Sequence, residues 1–117
     1  MKPADIKPEI PFATLASVDI RVGTIQSVHD VAGSSKLIRM VVDFGDHTRN
    51  ILAGMKKERS DVQAIVGKQA LFVVNLAPRT MAGEVSEGML FDVGFADGIE
   101  PALLSPERPV PNGTRAG

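Results

Sequence analysis

The segment Leu37–Phe44 alternates without a break. Ile38, Met40, Val42 and Phe44 fall on one side, and Leu37, Arg39, Val41 and Asp43 fall on the other. A period of two marks a strand with one buried face, because successive side chains leave a strand on opposite sides. The same period occurs at Val18, Ile20 and Val22, set between Asp19, Arg21 and Gly23, in a strand expected to run on through Ile25 and Val28. Gly33, Ser34 and Ser35 form the loop between the two strands. Gly45 and Asp46 turn the chain, and Thr48 to Ala53 returns as a third strand. Gln69 to Asn75 is a clear apolar strand, and Met89 to Val93 is another, with Phe91 facing inward. Lys56 to Ile65 is the best helix candidate, with Ser60 and Asp61 capping its second part and Gly67 closing it.

Three strands, a short helix between strands three and four, and then at least two strands is the order of an OB-fold. That fold is an all-β, five-stranded Greek-key barrel. Other small barrels also use strands this short, so periodicity alone leaves them open. A chain of 117 residues is one domain. Three prolines make residues 1–11 an extended lead-in to a domain over residues 12–117. The tail from Ser105 to Gly117, rich in Pro and Gly, is expected to wrap the surface or pack on a partner. With no Trp or Tyr the core is thin, and oligomerisation is a natural way to bury more surface.

Catalytic chemistry finds little material. The chain has no cysteine, which excludes disulfides, thiolate metal sites and thiol nucleophiles. His29 and His47 are the only histidines, and neither has a metal ligand at the required spacing. The glycines at 94 and 98 lack the spacing of a dinucleotide-binding loop. Ser86 has no histidine base placed to serve it, and a Glu84–Glu87 pair alone is a pair of solvated loop charges. The chain therefore reads as a non-enzyme without cofactor or metal. No apolar run approaches a membrane span, and the N-terminus has no apolar leader core, so the expectation is a cytoplasmic protein without membrane contact.

The net charge of −1 is unevenly spread: residues 36–79 carry eight basic against four acidic side chains, a net of +4, and the rest carries −5. One basic face can still attract phosphate. Readers of single strands stack bases on aromatic side chains, but the five phenylalanines are wanted for the core. Folded RNA asks only for spaced cations with a few polar and apolar groups. Lys36, Lys56, Lys57, Asn75, Arg79, Ser86 and the methionines supply these.

The richest stretch is Val74 to Leu90, VNLAPRTMAGEVSEGML, which leaves a strand at Pro78, passes Gly83 and Gly88, and re-enters a strand at Met89. Arg79 either bridges phosphate oxygens with its planar fork or closes on Glu84 or Glu87. Asn75 bonds a base edge or caps the turn, and Ser86 touches phosphate or forms a local side-chain turn. Met81 and Met89 pack on exposed bases, or Met89 joins the core.

DIRVGTI, SKL, VVDFG, RNILAGM, VGK, VVNLAPRTMAG and SEGML follow one another in order. In that order they resemble the tRNA-binding domain family, whose members are appended to methionyl-tRNA synthetases or stand free. Where the family often has His–Pro and an acidic pair before Lys–Leu, this chain has VAGSSKL. The tail is similar to the CsaA chaperone branch. The resemblance implies an OB-fold homodimer that binds tRNA by its folded shape without catalysis. The alternative it carries is a CsaA-like chaperone for unfolded or pre-export polypeptide, and an aminoacyl-tRNA synthetase is a further possible partner. By position, the contacts it implies are Lys36, Asn75, Arg79, Ser86, Glu87, Gly88 and Met89. Gly88 also has a purely conformational reading, as the residue that lets the chain turn into the last strand.

Overall fold

The computed structural model describes residues 1–117. Its frame is a curled five-stranded antiparallel sheet made from β1 (Ile20–Asp30), β2 (Ile38–Asp43), β3 (Thr48–Ala53), β4 (Gln69–Val73) and, after an inserted hairpin, β7 (Met89–Leu90). The strand order β3-β2-β1-β4-β7 is that of the OB-fold. β1 is long enough to serve two partners. Its first half pairs with β4, its second half pairs with β2, and the register slips between Ile25 and Ser27. A bulge of this kind bends a strand and raises its twist, which is what curls a sheet toward a barrel. Gly23 makes the tight curl possible: a Cβ there would lie 2.5 Å from Val42 Cγ1 and 2.9 Å from the Phe44 ring.

The alternation in β2 is realised: Ile38, Met40, Val42 and Phe44 are buried. With Ile25, Ile51, Met55, Ile65, Ala70, Phe72 and Leu90 they form one continuous core, into which Phe44 and Phe72 pack edge to face. The open side of the sheet is closed by the chain returning to β3. The Glu87 amide donates to the Asn50 carbonyl at 2.9 Å, and the Leu52 amide donates to Ser86 Oγ at 3.0 Å. The tail wraps the surface along the first half of β1, on the side β2 does not reach. There the Val22 amide donates to the Thr114 carbonyl at 2.9 Å and the Ala116 amide to the Ile20 carbonyl at 2.8 Å.

Three expectations are corrected. The α-helix is not between strands three and four: the only one is α1 (Phe12–Ala16), ahead of β1. Between β3 and β4 the chain makes only a four-residue 3-10 turn, Val62–Ile65, whose entry is capped by Asp61 accepting from the Gln63 amide at 3.0 Å. Residues 56–65 bury only Ile65, too narrow an apolar stripe to hold a longer helix against the barrel. The expected strand Met89–Val93 is split, because Asp92–Val93 (β8) leaves the sheet to pair with Ala102–Leu103 (β9). Between β4 and β7 stands a separate hairpin, β5 (Arg79–Met81) and β6 (Glu84–Ser86).

Candidate nucleic-acid interface

The loops after β1 and β3 are drawn together by the Lys56 amide, which donates to the Lys36 carbonyl at 3.0 Å. This gathers Lys36, Lys56 and Lys57 at one end of the barrel. Lys36 and Lys57 are exposed and meet no carboxylate, while Lys56 Nζ lies 2.9 Å from Asp30. That pair is open to solvent and holds Lys56 only weakly. The hairpin reaches toward the same end, with Met81 sharing a groove with Gly54 and Met55, the residues just before Lys56.

Arg79 stands on β5, exposed and without a carboxylate partner. Both acids it might have met are engaged elsewhere. Glu84 pairs with Arg39 Nε at 3.2 Å, and Glu87 Oε1 accepts the Asn50 amide at 2.9 Å. The guanidinium is therefore free to meet an anion with its full set of donors.

Four other residues of the segment are committed to the architecture. Asn75 spans the entry to β1, accepting the Asp19 amide at 2.8 Å and donating to the Ser17 carbonyl at 2.7 Å. Ser86 is buried, and its hydroxyl accepts from the Leu52 amide and donates to the Gly88 carbonyl at 3.0 Å, the local side-chain turn of its two readings. No free group remains there for a phosphate. Glu87 is bonded into β3 as described. Gly88 passes so close to β4 and β3 that a Cβ would lie 2.9 Å from the Val73 carbonyl oxygen and 3.2 Å from Ile51. Met89, by contrast, is 42 % exposed.

Arg49 is a residue that sequence reasoning missed. Its Nη1 donates to the Val74 carbonyl at 2.7 Å and the Glu87 carbonyl at 3.0 Å, so one guanidinium clasps both ends of the segment. Its Nε donates to His47 Nε2 at 3.0 Å, and its charge lies over the Phe44 ring. His47 Nδ1 is in turn 2.6 Å from Asp46 Oδ1. That hydrogen bond, and then the attraction of His47, holds the Asp46 carboxyl below its ordinary range. Beside it, Asp19 is held low by its hydrogen bonds from Arg21, which is raised in return. Nothing local in the sequence marks Arg49 for this role: it lies between two polar residues, Thr48 and Asn50, and both carbonyls it clasps are more than twenty residues away.

The phenylalanines also depart from expectation. Phe44 and Phe72 are in the core, Phe91 is half-buried, and Phe12 and Phe95 are largely on the surface. Within the described chain no group of three or more acidic or imidazole side chains is placed to hold a metal ion. No helix is long and apolar enough to cross a membrane.

Comparison with known proteins sets this geometry in context. A family model described as "Putative tRNA binding domain" matches residues 20–115. A MetRS related protein from Pyrococcus horikoshii is similar at 28 % identity and a TM-score of 0.85, over 95 % of this chain and 100 % of that one. The chaperone CsaA from Bacillus anthracis is similar at 28 % identity and a TM-score of 0.81, over 94 % of this chain and 100 % of that one. CsaA from Picrophilus torridus follows at 25 % identity and a TM-score of 0.80, covering 93 % and 100 % respectively.

Proposed function

The chain belongs to the tRNA-binding domain family, and from that premise we propose that it binds folded tRNA as a non-catalytic homodimer in the cytoplasm. The observation that carries this reading is the free Arg79, presented on a hairpin whose two acids are bonded to other groups. Lys36, Lys56 and Lys57 add charge at the end toward which the hairpin reaches. Cations set this way grip a phosphate backbone by position and leave sequence largely unread. Support for the dimer comes from α1, which buries none of its residues and leaves Phe12 80 % and Leu15 55 % exposed beside a 690 Å³ cavity shared with the tail. A second copy seated there would cover that apolar face and double the basic surface for one tRNA.

The test is tRNA binding followed across a salt series. Counterion release makes log K fall linearly with log salt, by about 0.9 in slope for each phosphate neutralised on a duplex. Binding indifferent to salt would sink the proposal. Sedimentation of the protein and of Phe12→Ser tests the dimer: the variant is expected to run as a monomer.

A second reading has its own supporting observation, an apolar groove beside Met81, Met89 and Phe95. There the chain would hold an extended polypeptide, as a CsaA-like chaperone. Suppression of client aggregation by protein free of tRNA would favour that reading.

A further inference from the structure

The groove between the hairpin, β7 and the 3-10 turn at Phe95–Asp97 has a composition that a simple electrostatic grip does not use. We propose that it takes one unstacked, amine-bearing nucleobase of the bound RNA; the inference rests on the tRNA-binding reading above.

Three features point to that occupant. The first is size. The groove encloses about 230 Å³, below the roughly 300–1,000 Å³ of sites for drug-sized ligands. That suits one flat heterocycle better than a stretch of chain. The second is the wall. Met81, Met89, Leu90 and Phe95 line it, and Met89 and Phe95 remain 42 % and 46 % exposed at its mouth. A phenyl face and soft thioethers accept the π-face of any base. The third is Asp92. Its Oδ1 accepts the Phe95 amide at 3.1 Å, which fixes the carboxylate, and the other oxygen has no protein partner. A carboxylate accepts hydrogen bonds from the exocyclic amine of adenine, guanine or cytosine. An aliphatic side chain would cover that oxygen and leave it unpaired, which is costly.

The surroundings complete the match. Met55 in the wall leads directly to Lys56 and Lys57, and Met81 is two residues from Arg79. Cations for the phosphates flanking a base lodged in the groove thus follow closely in the chain on two of its wall residues. The charge pattern is that of a nucleotide: cations close in the chain to an apolar slot with a single acceptor.

Gly54 supplies a clean test. It lines the groove, and a Cβ there would meet only Phe95 Cζ, at 4.0 Å, so Gly54→Leu fills the slot while sparing the core. Met89→Ala removes wall from an exposed position and guards against misfolding of the first variant. The whole protein is titrated with unfractionated tRNA across a salt series, and base reactivities of the bound tRNA are mapped chemically. Both variants are expected to bind about tenfold more weakly, as loss of one stacked base requires, with an unchanged salt slope. A base whose Watson–Crick edge is protected by the wild type should regain reactivity. Asp92→Asn should relax the preference for an amine-bearing base at that position. If both variants match wild type while Arg79→Ala weakens binding, the base site is wrong and the tRNA reading stands. If the wild type binds no tRNA, both fall. If Gly54→Leu loses suppression of client aggregation but keeps tRNA affinity, the groove belongs to polypeptide and the proposal is overturned.

Discussion

The two strands of the β5–β6 hairpin differ in what their polar side chains meet. On β5, Arg79 is exposed and meets no carboxylate, although its cross-strand partner is Ser86. On β6 and just beyond it, Ser86, Glu87 and Gly88 are pressed against β3 and β4: the Ser86 hydroxyl accepts the Leu52 amide, Glu87 Oε1 accepts the Asn50 amide, and Gly88 passes too close to the Val73 carbonyl for a side chain. The strands are three residues each and joined by a tight turn, yet one leaves its arginine open to solvent and the other seals the barrel. A run of residues that reads as a single contact motif thus holds two kinds of position. Some fix the backbone, and they make it possible for others to be held out rigidly. Mutation separates the kinds by which measurement moves: stability alone, or binding alone.

The largest stability effect is expected at Gly88. A Cβ at 2.9 Å from the Val73 carbonyl cannot be relieved by a rotamer change, since the obstacle is backbone. Gly88→Ala should cost about 2–3 kcal/mol, the upper range for overpacking a filled site, read from the denaturant midpoint. Near-wild-type stability would place Gly88 with the contact positions instead. Ser86→Ala comes next. It leaves the Leu52 amide without its acceptor in a buried place, at about 1–3 kcal/mol, again with the salt slope of tRNA binding unchanged. Arg79→Ala should show the opposite pattern. Its stability should stay within the ~0.5 kcal/mol scatter of surface changes, while tRNA affinity falls and the salt slope drops by about one contact. Loss of stability in that variant would erase the distinction between the strands.

The strands of the barrel were legible because burial on one face forces a period of two, and β2 shows it at every position from Ile38 to Phe44. The strand order did not follow from that pattern alone, which other small barrels share, and needed the family resemblance beside it. The hairpin was not legible: Arg79–Met81 and Glu84–Ser86 lie outside the core and carry no apolar alternation to read. Nor was α1, whose five residues follow a proline and bury nothing. Of the candidate contacts, the cations could be named from charge alone. What escaped was the division between contact and closure, because it depends on partners far along the chain. Ser86 meets Leu52 across 34 residues, and Asn75 meets Ser17 across 58. A local reading of side-chain chemistry cannot see such pairs, and it leaves Asn75 and Ser86 with two readings each.

The smallest expected effect tests whether closure extends to the entry of β1. Arg21 Nε and Nη2 donate to the two Asp19 oxygens at 2.9 and 3.0 Å, and the Asp19 amide is held by Asn75. The hydrogen bonds from Arg21 lower the Asp19 carboxyl below its ordinary 3.8. A carboxylate whose folded value lies below its unfolded one stabilises the fold fully above the unfolded value. It loses that contribution as pH falls through the folded value. Acid should therefore weaken this corner only below about pH 4, in a melt followed as pH is lowered, and Asp19→Asn should flatten part of that slope. At neutral pH the same variant should change stability little, since exposed ion pairs contribute little there. It should leave tRNA affinity alone, because the pair sits among the bonds that hold Ser17 to Asp19 against β4 and carries no free cation. A shift in tRNA affinity for Asp19→Asn at neutral pH would move this corner from closure to contact.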